Sequence, residues 1–134
     1  MKRLLLPLLA ALALPTAVNA ETIYLECKFD TYEPLVELAI NPNTDQGTIR
    51  TISNSTGDSS YKANQFIKSD SYSLKAIQTF STDTYTVSRI DGTANQSIVW
   101  NEKFKKIFPD LYKKAKLIWR DGNCKKKEKV ETLF

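Results

Sequence analysis

The chain predicts a mainly β domain: an antiparallel meander closing into a small barrel or sandwich, with a short helical segment near the C-terminus. Three observations carry this expectation. Apolar and polar residues alternate with period two in the first segments, and turn-forming breaks recur about every eight to twelve residues. Beyond Trp100 the apolar spacing switches to three and four residues, the period of a helix.

Residues 22–29 set the pattern, with Ile23, Leu25, Cys27 and Phe29 on one face and Tyr24, Glu26 and Lys28 on the other. Residues 35–41 form a second strand with Val36, Leu38 and Ile40 inward. The run 41–47 is dense in Asn, Pro, Asp and Gly and should reverse the chain. Residues 48–52, rich in β-branched side chains, read as a third strand, and 54–59 as a turn centred on Gly57-Asp58. Strands over 61–67, 72–80, 85–90 and 96–100 follow, separated by polar breaks at 68–70, 81–83 and 91–93. Phe104, Ile107, Phe108, Leu111, Tyr112 and Ala115 then recur at core-facing helical spacing. Pro109 divides that stretch into a helix ending at Phe108 and a second with the proline in its first turn, where it is tolerated. Residues 116–120 read as a further strand turning at Asp121-Gly122-Asn123, with 124–131 returning beside it.

The first 20 residues read as a cleavable signal peptide. Lys2 and Arg3 precede an uncharged run from Leu4 to Leu14, Pro15 breaks it, and Val18-Asn19-Ala20 suits a signal peptidase. That run covers roughly half of the ~20 residues needed to span a bilayer, so no stable membrane span is expected after cleavage. The expected organisation is therefore a leader over 1–20 and one domain over 21–134, delivered to the periplasm or secreted.

Cys27 and Cys124 are the two cysteines, and in an exported chain such a pair is expected to form a disulfide rather than stay as two thiols. They lie too far apart in sequence for a thioredoxin-like redox pair. The chain contains no histidine, which excludes Ser-His-Asp and Cys-His nucleophilic arrangements and histidine-bearing zinc or copper sites. Neither a metal site nor a cofactor is expected. Residues 41–48 place oxygen side chains at alternate positions, as a calcium loop does. Gln46 stands where that loop needs glycine, however, and Ile52 where it needs a bidentate glutamate. A plain turn is expected there.

Charge is polarised along the chain: residues 21–100 hold 6 basic against 10 acidic residues, and 101–134 hold 11 against 5. The basic residues of the second part fall between Lys103 and Lys129, with Phe104, Phe108, Tyr112 and Trp119 among them. Basic groups interleaved with aromatics can bind nucleic acid, acidic polysaccharide or an anionic membrane surface. Lys113, Lys114, Lys116, Lys125, Lys126, Lys127 and Lys129 are the candidate polyanion-binding residues. Their lysine-rich chemistry does not favour bidentate phosphate recognition. Glu26 and Glu37, both outward on the first two strands, are the carboxylates that could face each other across a ladder.

The precursor resembles a group of small exported, single-disulfide proteins of marine picocyanobacteria. The likeness is carried by residues 1–12 with Asn19-Ala20, by Leu25-Glu26-Cys27, by Tyr85-Thr86-Val87-Ser88-Arg89-Ile90-Asp91-Gly92-Thr93 and by Gly122-Asn123-Cys124. It implies export and a one-disulfide β domain, and carries over no catalytic or binding residue. Two functional expectations follow. One is an exported, non-enzymatic binding module for a small apolar molecule or a polyanion. The other is a carboxylate-based hydrolase acting on cell-wall or extracellular polysaccharide.

Overall fold

A computed structural model describes residues 21–127. The expected leader, Lys129 and the end of the expected return strand lie outside the described residues. The period-two segments become strands joined in sequence order: β1 (Ile23–Phe29), β2 (Leu35–Ile40), β3 (Gln46–Ser53), β4 (Gly57–Ile67), β5 (Ser71–Ile77), β6 (Ser81–Ser88), β7 (Thr93–Trp100) and β8 (Leu117–Lys127). Each pairs antiparallel with the next, and β8 returns to pair with β1, so the meander closes as a barrel and not a sandwich. Closure leaves no free strand edge in the sheet.

Eight strands enclose an interior just wide enough for side chains to fill. Leu38, Ile49, Leu74, Tyr85 and Gln96 fill it, each at most 1 % exposed. Val36, Ile40, Phe29 and Val87 extend the same core. Charged residues such as Lys28, Arg50 and Lys62 stand on the outside. Apolar-in and polar-out is the inverse of a membrane-spanning barrel.

The barrel has two unlike ends. The helical end carries the β1–β2, β3–β4 and β5–β6 loops together with α1 (Glu102–Ile107) and α2 (Pro109–Lys114), which link β7 to β8. The terminal end carries the start of β1, the end of β8 and the 41–45 loop. That loop is tied down by buried Gln65, whose Oε1 accepts from Asn41 N at 2.9 Å and whose Nε2 donates to Thr44 O at 2.8 Å and to Asn41 O.

The disulfide joins β1 to β8. Cys27 and Cys124 are direct partners in the ladder with Cα atoms 4.0 Å apart, so the staple sits on the seam that closes the barrel. Such a cross-link suits an oxidising, non-cytoplasmic compartment.

Three expectations are corrected. The turn at Asp121-Gly122-Asn123 does not form, and β8 runs through it without a break. Gly122 is required there by proximity: a Cβ would collide with the Lys28 carbonyl oxygen and sit 2.7 Å from Phe29 Cδ1. Residues 81–83 are not a break either. Ser81 and Asp83 are buried and share the inward face of β6 with Tyr85 and Val87, so interior polar groups had the look of a loop. Finally, the helical apolar residues do not face a core. Only Phe104 is buried, while Ile107, Phe108 and Leu111 are exposed, because two six-residue helices split by Pro109 project from the barrel end without a second layer to cover them.

Candidate functional site

The outward carboxylates come together as the sequence suggested. Glu26 and Glu37 are direct partners in the β1–β2 ladder, which places their Cβ atoms about 5 Å apart. Both stand on the outer wall. Lys125 Nζ lies 3.6 Å from Glu26 Oε2 and Lys127 Nζ 2.9 Å from Glu37 Oε2, so each acid has its own cation.

Those contacts also divide the basic segment. Lys113, Lys114 and Lys116 lie at the helical end, whereas Lys125, Lys126 and Lys127 lie at the terminal end, with β8 between them. At the rise of a strand the separation is roughly 30 Å. Lys125 and Lys127 are engaged by glutamates. Lys126 turns toward the terminal mouth, a cavity of about 290 Å³ lined by Ile23, Leu25, Tyr72 and Val87 with Arg89 beside it. Lys129 lies outside the described residues.

The helical end gathers a different set. Lys103, Lys105, Lys106, Lys113, Lys114 and Lys116 are all exposed, and among the described residues none pairs with a carboxylate. Only Glu102 and Asp110 oppose them within residues 101–116. Their partners are aromatic faces: Lys103 lies 5.8 Å from the Phe80 ring centroid, and Lys105 and Lys116 lie 5.4 and 5.8 Å from that of Tyr112.

The cap holding these lysines is fixed at its start. Asn101 accepts from Phe104 N at 3.0 Å as the helix N-cap and donates through Nδ2 to Thr79 O at 2.9 Å, tying α1 to the β5–β6 loop. Phe104 stacks on Trp100 with ring centroids 4.2 Å apart, and Phe108 packs on Phe104 at 5.2 Å. Trp100 N donates to Lys116 O at 3.2 Å, which closes the cap where β8 begins.

Beneath the cap lies a polar layer that sequence reasoning missed. Arg120 Nη1 donates to Gln96 Oε1 at 2.8 Å, and Gln96 Nε2 donates to the Tyr85 hydroxyl at 2.8 Å. The Arg120 guanidinium also lies over the Tyr32 ring, 4.7 Å from its centroid. Beside this chain, Ser81 Oγ donates to Asp83 Oδ1 at 2.8 Å and the Tyr61 hydroxyl reaches Asp83 Oδ2 at 3.5 Å.

Burial governs the acidity of these groups. It raises the Asp83 carboxyl above the usual range against the lowering effect of its Ser81 and Tyr61 hydrogen bonds. It pushes the Tyr85 hydroxyl up to about 12 and raises Tyr61 further, and it raises Tyr32 against the opposing pull of Arg120. A single buried carboxylate with hydroxyl partners is not the paired-carboxylate arrangement of glycoside hydrolysis. The available signal was the period of two: Ser81, Asp83 and Tyr85 alternate inward just as Leu25, Cys27 and Phe29 do. Gln96 and Arg120 are ladder partners that only the β7–β8 register reveals.

Comparisons of the chain with protein-family models, with curated proteins and with solved structures found no match.

Proposed function

We propose that this chain is an exported, non-enzymatic binding module that holds an anionic ligand through the lysines of its helical end. The carrying observation is the contrast between the two basic groups. Six lysines on the cap have no carboxylate partner among the described residues, whereas Lys125 and Lys127 are engaged by Glu26 and Glu37, respectively, at the other end. Unpaired, exposed lysines keep their attraction for an external polyanion, and that attraction weakens with salt.

Other expectations draw less support. The barrel centre is filled by core side chains, and the terminal mouth is small for a ligand site. Glu26 and Glu37 are ladder neighbours on the outer wall, but each is engaged by its own lysine, Lys125 and Lys127. Delivery to the periplasm or beyond it belongs to this reading through the leader.

Heparin-column elution of the oxidised protein tests it. A variant with Lys103, Lys105, Lys106, Lys113, Lys114 and Lys116 changed to Gln should elute at markedly lower salt than the parent. Changing Lys125 and Lys127 to Gln should shift elution much less. Equal elution of parent and cap variant would overturn the proposal.

A further inference from the structure

We infer that the anionic ligand is a membrane surface, and that the helical end docks on anionic lipid with an apolar strip of the outer wall entering the headgroup region. This rests on the reading of the cap lysines given above and adds the chemistry that selects a bilayer over a dissolved polyanion. Strand register places Ile77, Thr82, Val99 and Leu117 side by side on the outer faces of β5, β6, β7 and β8. Trp119 follows Leu117 on the same face of β8, in line with Ser97, Thr84 and Lys75. Ile77 is 76 % exposed, Leu117 54 %, Trp119 57 % and Val99 46 %.

The strip is continuous with the cap. Trp100 at the end of β7 is bonded to Lys116 just before β8, and α1 and α2 leave from that point with Ile107, Phe108 and Leu111 exposed. Among the described residues, seven of the ten exposed large apolar side chains thus gather at one end of the barrel, with the six lysines that have no carboxylate partner there.

This mixture fits an interface of two characters. Lysine ammonium groups reach anionic headgroups while their stems lie along apolar surface. Trp is the residue that settles at the boundary between headgroup and acyl chain. The Trp119 indole N–H is already held by Asp121 Oδ1 at 3.0 Å, so its ring edge is satisfied and its face is free for an apolar contact. An acidic polysaccharide would engage the lysines and leave the strip in water. An anionic bilayer engages both, by the balance of charge and apolar burial that governs interfacial binding.

The test is co-sedimentation of the oxidised protein with vesicles of phosphatidylcholine alone or of phosphatidylcholine mixed with phosphatidylglycerol, with heparin elution run on the same samples. Binding is expected only to the phosphatidylglycerol vesicles, with a blue shift of tryptophan emission. Lys113→Gln, Lys114→Gln and Lys116→Gln together should weaken it on the order of a hundredfold. Ile77→Ser with Leu117→Ser, both at exposed positions, should weaken it at least ~10-fold while heparin elution stays at the parent's salt. Vesicle binding insensitive to the serine pair, or heparin retention without any vesicle binding, would overturn the membrane assignment and leave the polyanion reading standing. Loss of both activities in the parent would remove the two together.

Discussion

The cross-link between Cys27 and Cys124 should supply a large share of this domain's stability. Its two cysteines are 97 residues apart in sequence. In the chain-entropy model, closing a loop of that length removes about 4.7 kcal/mol of freedom from the unfolded chain at 25 °C. Domains of this size are stable by only about 5–15 kcal/mol. The perturbation is Cys27→Ala with Cys124→Ala, which leaves the β1–β8 backbone ladder able to form. Cys27 is fully buried, so the lost sulfur contacts add roughly 1 kcal/mol. Urea unfolding of oxidised parent and double variant, followed by tryptophan fluorescence and far-ultraviolet circular dichroism, should therefore differ by about 5 kcal/mol. The variant should also show a steeper denaturant dependence, because its unfolded state is more expanded. Reductant should shift the parent toward the variant and leave the variant unmoved. A difference below about 1 kcal/mol would refute the reasoning, since the loop would then constrain the unfolded chain far less than its length requires.

Two further outcomes probe the corrected elements. Gly122→Ala should destabilise by about 1–3 kcal/mol, since the new methyl meets the Lys28 carbonyl and the Phe29 ring; in a solvent-exposed turn with ordinary backbone angles the same change would be neutral or stabilising, so an unchanged urea midpoint would contradict the continuous β8. Asp83→Asn should have an effect that grows with pH. The folded carboxyl titrates above its unfolded value, so the parent's stability from this group is fully present below the unfolded pKa near 3.9 and is lost as pH rises through the raised folded value. The variant should accordingly gain on the parent between acidic and neutral pH in urea midpoints, and a constant difference across that range would show that Asp83 is not desolvated.

How much was legible follows from where each residue's partner lies. Ile23, Leu25, Cys27 and Phe29 need only their own strand to declare a face, and the alternation placed β1 and the inward Cys27 without help. The reversal after β3 was likewise local, though it is tighter than the expected 54–59: it spans 54–56, and Gly57, at a φ of 79°, already opens β4. Ser81 and Asp83 misled because polarity alone marks a break only when the side chain faces water, and the inward role of Gln96 could not be read from its own strand. Their side chains find Tyr61 and Tyr85 on other strands and Arg120 across the β7–β8 ladder. Gly122 misled for a similar reason, since what excludes a side chain there is the Lys28 carbonyl of β1, far away in sequence. The basic segment was read as one site because its lysines are close in sequence, and the length of β8 separates them.

The polar layer also accounts for the surface above it. The interior of the helical end is closed by Asp83, Tyr61, Gln96 and Arg120, with the Tyr32 ring against the guanidinium, and among the described residues no buried side-chain nitrogen or oxygen lacks a hydrogen bond. The helices are therefore offered no apolar floor and hold to the barrel through the Trp100–Phe104 stack and the Asn101 cap. Ile107 and Leu111 are exposed and support no core contact, so polar residues there would leave the fold intact and reduce the exposed apolar surface. Their place beside Leu117 and Trp119, in a barrel whose other outer faces carry Lys28, Arg50 and Lys62, is what a surface meant to be covered requires.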